Sequence, residues 1–243
     1  IFATAQNNGG VVVYQETTQL QIEIPEEYRE QLKGMLPESN SLTKELLFTT
    51  NESIYRDQAN TETDQAIEAG AEDSGMQVKM VVQRSDSQLY KDLEKQKVYE
   101  SRELFGRKFL IADALENFQW KLLNESKDIL GYTCQKAIYK DTEQVVEAWF
   151  TTQIPISNGP RSYGQLPGLI LELSIDNGQT QITATEVKLE SVSTDEIKAP
   201  KKGKKVSQAE YDELLAEKQK EMEETYGGAG GGTRIMIKQS RND

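Results

Sequence analysis

The chain contains no histidine and a single cysteine, and these two counts limit its chemistry more than any other feature. Ser-His-Asp and Cys-His catalysis both need an imidazole base, and most zinc sites are built from histidine and cysteine. Cys134 lies within an alternating apolar run, a setting that favours a packed core thiol over a nucleophile. We therefore predict that the protein is not an enzyme and has neither a metal nor a cofactor.

Paired carboxylates are the acid–base chemistry that remains, because glycoside hydrolysis needs two carboxyl groups at a fixed separation. Five acidic residues lie in the central part of the chain: Glu143, Glu147, Glu172, Asp176 and Glu186. The chain has 40 acidic residues, so chance alone brings some of them close together. Glu172 stands between two leucines and would need a partner such as Arg161 or Lys188 if its strand were covered on both faces; otherwise it faces solvent.

Short runs of alternating apolar residues, separated by polar turns, would have to position these side chains. Such runs recur from Gly10 to about Ala199, as is typical of antiparallel strands. Asn177-Gly178 predicts a tight type I′ hairpin turn after the apolar run Leu169–Ile175. We predict a mainly β protein with minor α content, in which residues 10–199 form a curved antiparallel sheet or half-barrel meander with a C-terminal helical appendage.

Three segments differ in composition from this β domain. Residues 1–9 resemble the remnant of a secretory signal, with Ala3-Thr4-Ala5 before a polar terminus, and predict export and a disordered start. Residues 59–75 are small and acidic, which predicts a mobile loop. Residues 200–243 predict a basic connector, an amphipathic helix over 207–225 with Ser207 and Glu210 as a capping box, a glycine-rich linker and a terminal strand.

Charge and hydropathy exclude two classes of partner. The net charge of −12 argues against nucleic acid and against anionic membrane surfaces, because both attract lysine and arginine. No run of 18 apolar residues is present, so we predict no transmembrane segment. The tail helix nevertheless has a narrow apolar stripe suited to docking a partner: Tyr211, Leu214, Leu215 and Met222.

Proline and glycine punctuate the loop between the runs Val145–Thr152 and Leu169–Ile175. Pro167 fixes φ and Gly168 can take a positive φ, so this pair predicts a type II turn that feeds the second run into the sheet. The alternative is a binding role, with apolar and aromatic residues forming the lip of a groove or a partner surface. Its members would be Trp149, Tyr163, Leu166, Pro167, Gly168 and Leu169.

The hexapeptide Gln165-Leu166-Pro167-Gly168-Leu169-Ile170 resembles the motif that names the GLPGLI family, a set of cell-envelope proteins of Bacteroidetes. Further matching segments are Trp120-Lys121, Ile129–Ala137, Ala148-Trp149-Phe150 and Ile154–Pro160. The chain is therefore identified as a member of that family, with Gln165 in the place of its first glycine. The resemblance implies a periplasmic or outer-membrane-associated protein.

The resemblance implies a non-catalytic accessory protein that docks to an outer-membrane partner, for which a TonB-dependent receptor is the natural candidate. A second hypothesis is a carrier of a lipid or other apolar ligand inside the curved sheet, since the pattern is similar to the half-barrel of periplasmic lipoprotein carriers. A carboxylate-dependent hydrolase is the third.

Overall fold

The computed structural model describes residues 9–23, 36–58, 65–71, 76–82, 87–104, 106–142, 144–226 and 236–238. Sixteen strands and one helix lie within these ranges. The first eight strands are β1 (Gly10–Gln19), β2 (Gln21–Glu23), β3 (Ser39–Phe48), β4 (Glu52–Asp57), β5 (Gln65–Ala71), β6 (Met76–Val82), β7 (Gln88–Asp92) and β8 (Lys97–Leu104). The remaining elements are β9 (Arg107–Ala114), β10 (Lys121–Ile129), β11 (Tyr132–Lys140), β12 (Val145–Thr151), β13 (Leu169–Ile175), β14 (Thr180–Lys188), β15 (Lys204–Val206), the helix α1 (Gln208–Tyr226) and β16 (Met236–Lys238).

Twelve of these strands form one open sheet in the order β10-β11-β12-β13-β14-β1-β3-β4-β7-β8-β9-β15. Neighbouring strands are antiparallel except β15, which runs parallel to β9. Strands β3-β4-β7-β8-β9 and strands β10 to β14 form two meanders, and β1 joins them by pairing with β14 on one side and β3 on the other. The predicted mainly β fold with a C-terminal helix is confirmed. Two shorter sheets pair β2 with β16 and β5 with β6.

One face of the large sheet carries the main core. Because side chains alternate along a strand, residues paired across neighbouring strands share a face. Val12, Leu46, Tyr55 and Leu89 form such a row from β1 to β7, and each is at most 8% exposed. Phe150 of β12, which lies six strands from β7 in the sheet order, belongs to the same core cluster. The sheet therefore curls around its contents.

The helix α1 begins where the sequence predicts, because its capping box forms. The Ser207 backbone N–H donates to the Glu210 carboxylate at 2.7 Å, and the Glu210 N–H donates to the Ser207 hydroxyl at 3.2 Å. Tyr211, proposed above to dock a partner, is 5% exposed and packs edge-on against Phe109 of β9. Leu214 packs against the same cluster. The chain itself thus covers the first part of the stripe, while the side chain of Met222 lies outside the described residues.

The acidic segment predicted to be a loop contains strand β5, which pairs with β6 in register from Gln65↔Val82 to Ala71↔Met76. The prediction considered only how little apolar surface this segment could bury. A hairpin also satisfies the backbone through cross-strand hydrogen bonds, which need no large side chains. Residues 1–8 of the predicted signal remnant, the remainder of the acidic segment and the glycine-rich linker lie outside the described residues.

Two turn predictions need correction. The β13–β14 connection has four residues, since Ile175 pairs with Thr180, and it places Asp176, Asn177 and Gly178 all at positive φ. It is therefore wider than a two-residue type I′ turn. Gly168 is not at positive φ; it is needed because a Cβ there would lie 2.0 Å from the Thr151 carbonyl oxygen. Close approach of two backbones, rather than a type II turn, is the reason for glycine here.

Gly168→Ala should destabilise the protein strongly, because only backbone movement can relieve the clash with Thr151. We expect a loss of about 3 kcal/mol or more in the free energy of unfolding, measured by urea denaturation. Gly131→Ala is the matched control: Gly131 has φ +82° but nothing within 4 Å of an added Cβ, so we expect a loss of only about 1–2 kcal/mol. Equal losses for the two variants would contradict the close-approach explanation.

Candidate functional site

The loop between β12 and β13, residues 152–168 and here called the central loop, lies on the core face of the sheet. Ile154, Tyr163 and Leu166 of this loop are at most 2% exposed and belong to the main core. Groups from distant strands bind its backbone: the Trp120 indole N–H donates to the Gly164 carbonyl at 2.9 Å, and the Tyr14 hydroxyl donates to the Ile170 carbonyl at 2.6 Å, just beyond the loop. The central loop is therefore an integral part of the hydrophobic core.

Lys91 of β7 joins the central loop to the opposite half of the sheet. It is 1% exposed, and its ammonium donates to the carbonyl oxygens of Gly159 at 2.7 Å and Tyr163 at 2.9 Å. Burial lowers the pKa of Lys91 to about 7, and no carboxylate of the described residues pairs with it. A protonated lysine has three N–H donors, so one remains after these two bonds.

A buried ion pair anchors the central loop at a second place. Arg161 of the loop donates to the Glu16 carboxylate of β1, and the Tyr55 hydroxyl donates to the same carboxylate at 3.0 Å. Burial alone would raise the pKa of Glu16, but Arg161, Lys44 and Tyr55 together lower it. Glu16 therefore stays ionised although it is only 8% exposed. Arg161 adopts a φ of 51°, so its place in the loop is conformationally unusual for a non-glycine residue.

A cavity of about 300 Å³ lies beside Lys91, between β7 and the central loop. Asn158 and Ser162 also line it. Asn158 is fully buried, and its Oδ1 accepts the Gly159 N–H at 2.8 Å. Among the described residues, neither its Nδ2 nor the buried Ser162 hydroxyl has a hydrogen-bond partner. Buried donors without acceptors are costly, so a cavity with such a lining is suited to a ligand that supplies acceptor oxygens.

The residues predicted to form the lip of a groove do not lie together on one surface. Tyr163, Leu166 and Leu169 are core residues, each at most 1% exposed, and of these three only Tyr163 lines the cavity. Gly168 is buried and Pro167 is exposed. Trp149 is half-buried under two ammonium groups, with Lys127 Nζ 4.4 Å and Lys136 Nζ 5.7 Å from its ring centroid. The described residues do not bring this set together as one surface.

The central acidic residues that could have supplied a catalytic pair form bonds to different partners. Both oxygens of Glu172 accept from Lys127 at 2.8 Å, so the partner is neither Arg161 nor Lys188. Each of the other central acidic residues that the structure describes has its own partner. Glu147 pairs with Lys136, Glu186 pairs with Lys188, and the Asp176 carboxylate accepts a hydrogen bond from the Val145 N–H. Glu143 lies outside the described residues. Within the described ranges, no group of three His, Cys, Asp or Glu side chains could hold a metal ion.

Cys134 is the core residue that its pattern predicts. It is fully buried, and burial raises the pKa of its thiol to about 11. A reactive thiol needs the opposite shift, because the thiolate is the nucleophile.

Sequence reasoning missed Lys91, Asn158 and Ser162. A signal for Lys91 was present: it follows Leu89 by two residues on the same strand, so strict alternation places a charged side chain on the apolar face. No comparable signal exists for Asn158 or Ser162, because their burial depends on how the central loop folds back on the sheet. Gln165 has a φ of 65°, where glycine would fit without strain, and its side chain bonds the Phe118 N–H and the Glu116 carbonyl.

A comparison with known protein families identifies the family of this chain. The family described as N-glycanase peptide, N-terminal domain, matches residues 27–214. The chain belongs to this family. Two crystal forms of PNGF-II have a similar fold. The P21 form has a TM-score of 0.55 with 14% identity, and the C2 form has a TM-score of 0.51 with 16% identity. The alignments cover 86% and 84% of this chain but 33% of each PNGF-II chain, and no curated protein matches.

The match to the N-glycanase family overturns the GLPGLI identification, the cell-envelope accessory function that this resemblance implied, and the separate hypothesis of a lipid carrier. The misleading hexapeptide owes its residues to local packing: Leu166, Leu169 and Ile170 are buried, and Gly168 lies against the Thr151 backbone. Buried apolar side chains and a glycine at a close backbone approach are common requirements where a loop enters a curved sheet. No helix of the described residues has the length and hydropathy of a membrane span. Export and an outer-membrane partner stay predictions.

Replacing either member of the buried ion pair should destabilise the protein more than replacing both. Arg161→Met or Glu16→Leu alone leaves a charge buried without its partner, which costs about 3–5 kcal/mol. The double variant removes both charges, so we expect a loss smaller than that of either single variant, measured by urea denaturation. Strictly additive losses would show that the two side chains do not interact.

The stability contributed by Lys91 should rise with pH. Its pKa is about 7 in the folded chain against an ordinary 10.5, so the unfolded chain binds more protons between these values. The free energy of unfolding of the wild type, relative to Lys91→Gln, should therefore increase from pH 7 to 9.5, by at most about 1.4 kcal/mol per pH unit. Lys97→Gln, at an exposed lysine of β8, is the control. A pH-independent difference for Lys91→Gln would contradict the buried position.

Proposed function

We propose that this chain is a non-catalytic N-terminal domain of an N-glycanase-type protein, and that it binds the glycan-bearing substrate on which a separate catalytic domain acts. The observation that carries the proposal is the family match over residues 27–214, to a domain described as N-terminal. The chain also spans only one third of the PNGF-II chains with a similar fold. Both findings are compatible with a catalytic centre that lies elsewhere.

The state of the carboxyl groups supports a non-catalytic role. General acids in glycan chemistry need a raised pKa so that they hold a proton near neutral pH. In the part of the chain that the structure describes, the carboxyl groups with a clearly shifted pKa are Glu16, Asp92 and Glu210, and each pKa is lowered. Glu172 and Glu147 are paired with lysines. The absence of histidine from the whole sequence removes the commonest alternative base.

The cavity supports a binding role. Saccharides carry many hydroxyl oxygens, and the C–H groups of the ring give its faces apolar patches. The polar residues Lys91, Asn158 and Ser162 line the cavity together with the apolar residues Leu93 and Pro155. Its volume of about 300 Å³ lies at the lower end of the range for ligand pockets, as expected for one sugar ring of a longer chain.

The 243-residue chain should bind an N-glycopeptide without cleaving it. We expect calorimetric binding of a glycopeptide that carries a sialylated complex glycan, no binding of the same peptide after its glycan is removed, and no released glycan by mass spectrometry. Asn158→Ala and Ser162→Ala should weaken binding about ten-fold or more, because each removes a cavity hydrogen bond. Asn124→Ala and Ser126→Ala, at exposed positions of β10, are matched controls.

Two results would refute the proposal in different ways. Equal binding of the glycosylated and deglycosylated peptides would show that the glycan is not recognised. Release of the glycan by this chain alone would show that the domain is catalytic.

A further inference from the structure

We propose that the cavity beside Lys91 recognises a saccharide through a carboxylate group, so that the domain prefers glycans that contain an acidic sugar. This inference rests on the proposed function and specifies the chemistry of its ligand. It depends on three independent observations: the charge of Lys91, the polarity of the cavity lining, and the hydrogen-bonding capacity left unused there.

Lys91 differs from the other buried cations of the described residues. Lys44 is paired with Asp57, and Arg161 is paired with Glu16. Lys91 contacts only neutral carbonyl oxygens. Buried charges in proteins are normally paired, because an isolated ion loses its hydration without compensation. A carboxylate in the cavity would give Lys91 the partner that the other two cations already have.

The cavity lining contains no aspartate or glutamate among the described residues, although the chain has 40 acidic residues and a net charge of −12. An acidic protein that binds a neutral sugar has no need to keep its own carboxylates away from the site. One that binds a carboxylate does, because like charges repel each other at close range. The lining is therefore locally positive on a protein that is negative overall.

The unused hydrogen-bonding groups are suited to acceptor oxygens. The third N–H of Lys91 and the Nδ2 group of Asn158 can only donate, and the Ser162 hydroxyl can donate. A carboxylate has two oxygens with about four acceptor positions and no hydrogen to offer, so it can satisfy several such donors at once. A sugar hydroxyl would satisfy them less completely because it also needs an acceptor.

The test compares two ligands that differ only in the carboxylate. Methyl β-D-glucuronide and methyl β-D-glucoside are titrated into the 243-residue chain by calorimetry, with acetate as a carboxylate that has no sugar ring. We expect the glucuronide to bind about ten-fold or more tightly than both the glucoside and acetate, because a charge-assisted hydrogen bond to Lys91 is added to the ring contacts. Lys91→Gln should remove this preference, whereas Lys97→Gln, at an exposed lysine, should retain it.

Ser162→Ala serves as a second variant if Lys91→Gln does not fold, and it should reduce glucuronide affinity without loss of the folded state. Equal affinities for glucuronide and glucoside would overturn the inference, and so would acetate binding as tightly as glucuronide. If the glycopeptide binds while the glucuronide shows no advantage, the proposed function stands and only the carboxylate preference fails. If neither glycopeptide nor glucuronide binds, both fail.

Discussion

The structure depends on one constraint: the central loop is buried, so its backbone polar groups need partners other than water. Side chains from distant strands supply several of them. Trp120 binds the Gly164 carbonyl, and Lys91 binds the carbonyls of Gly159 and Tyr163. A loop that is fixed in this way fills the interior of the curved sheet, a space that apolar side chains could otherwise fill. It also brings polar groups deep into the core, where a short stretch of chain can form a specific site.

The two buried cations that fix the central loop, Arg161 and Lys91, differ in how their charge is compensated. Arg161 is neutralised by Glu16 and makes a tightly coupled pair that fixes the loop to β1. Lys91 has only dipoles around it, and its pKa is lowered as a result. The first arrangement is complete within the chain. The second leaves electrostatic and hydrogen-bonding capacity beside a cavity, and this asymmetry separates a structural ion pair from a candidate binding group.

Much of the fold could be predicted because its signals are local. Alternation indicated an antiparallel β fold, although it missed β5 and β15, and the Ser207–Glu210 spacing placed the start of α1. The candidate site could not be predicted in the same way. Asn158 and Ser162 are ordinary loop residues in the sequence, and their burial arises from contacts with distant strands, such as those of Lys91 with Gly159 and Tyr163 about 70 positions away. The hexapeptide misled for a related reason: its residues satisfy a packing requirement, and a short packing motif carries little information about ancestry or function.

The position of β1 has a consequence for the assembly of the molecule. This strand lies in the interior of the sheet, with one edge paired to β3, about 30 residues away, and the other to β14, about 170 residues away. On a ribosome, the second edge stays open until almost the whole domain has been synthesised. Contacts so far apart in the chain are slow to form, because a large loop must close before any of them is gained. The nascent protein thus carries an unpaired, valine-rich strand edge for most of its synthesis, the kind of surface that chaperones recognise.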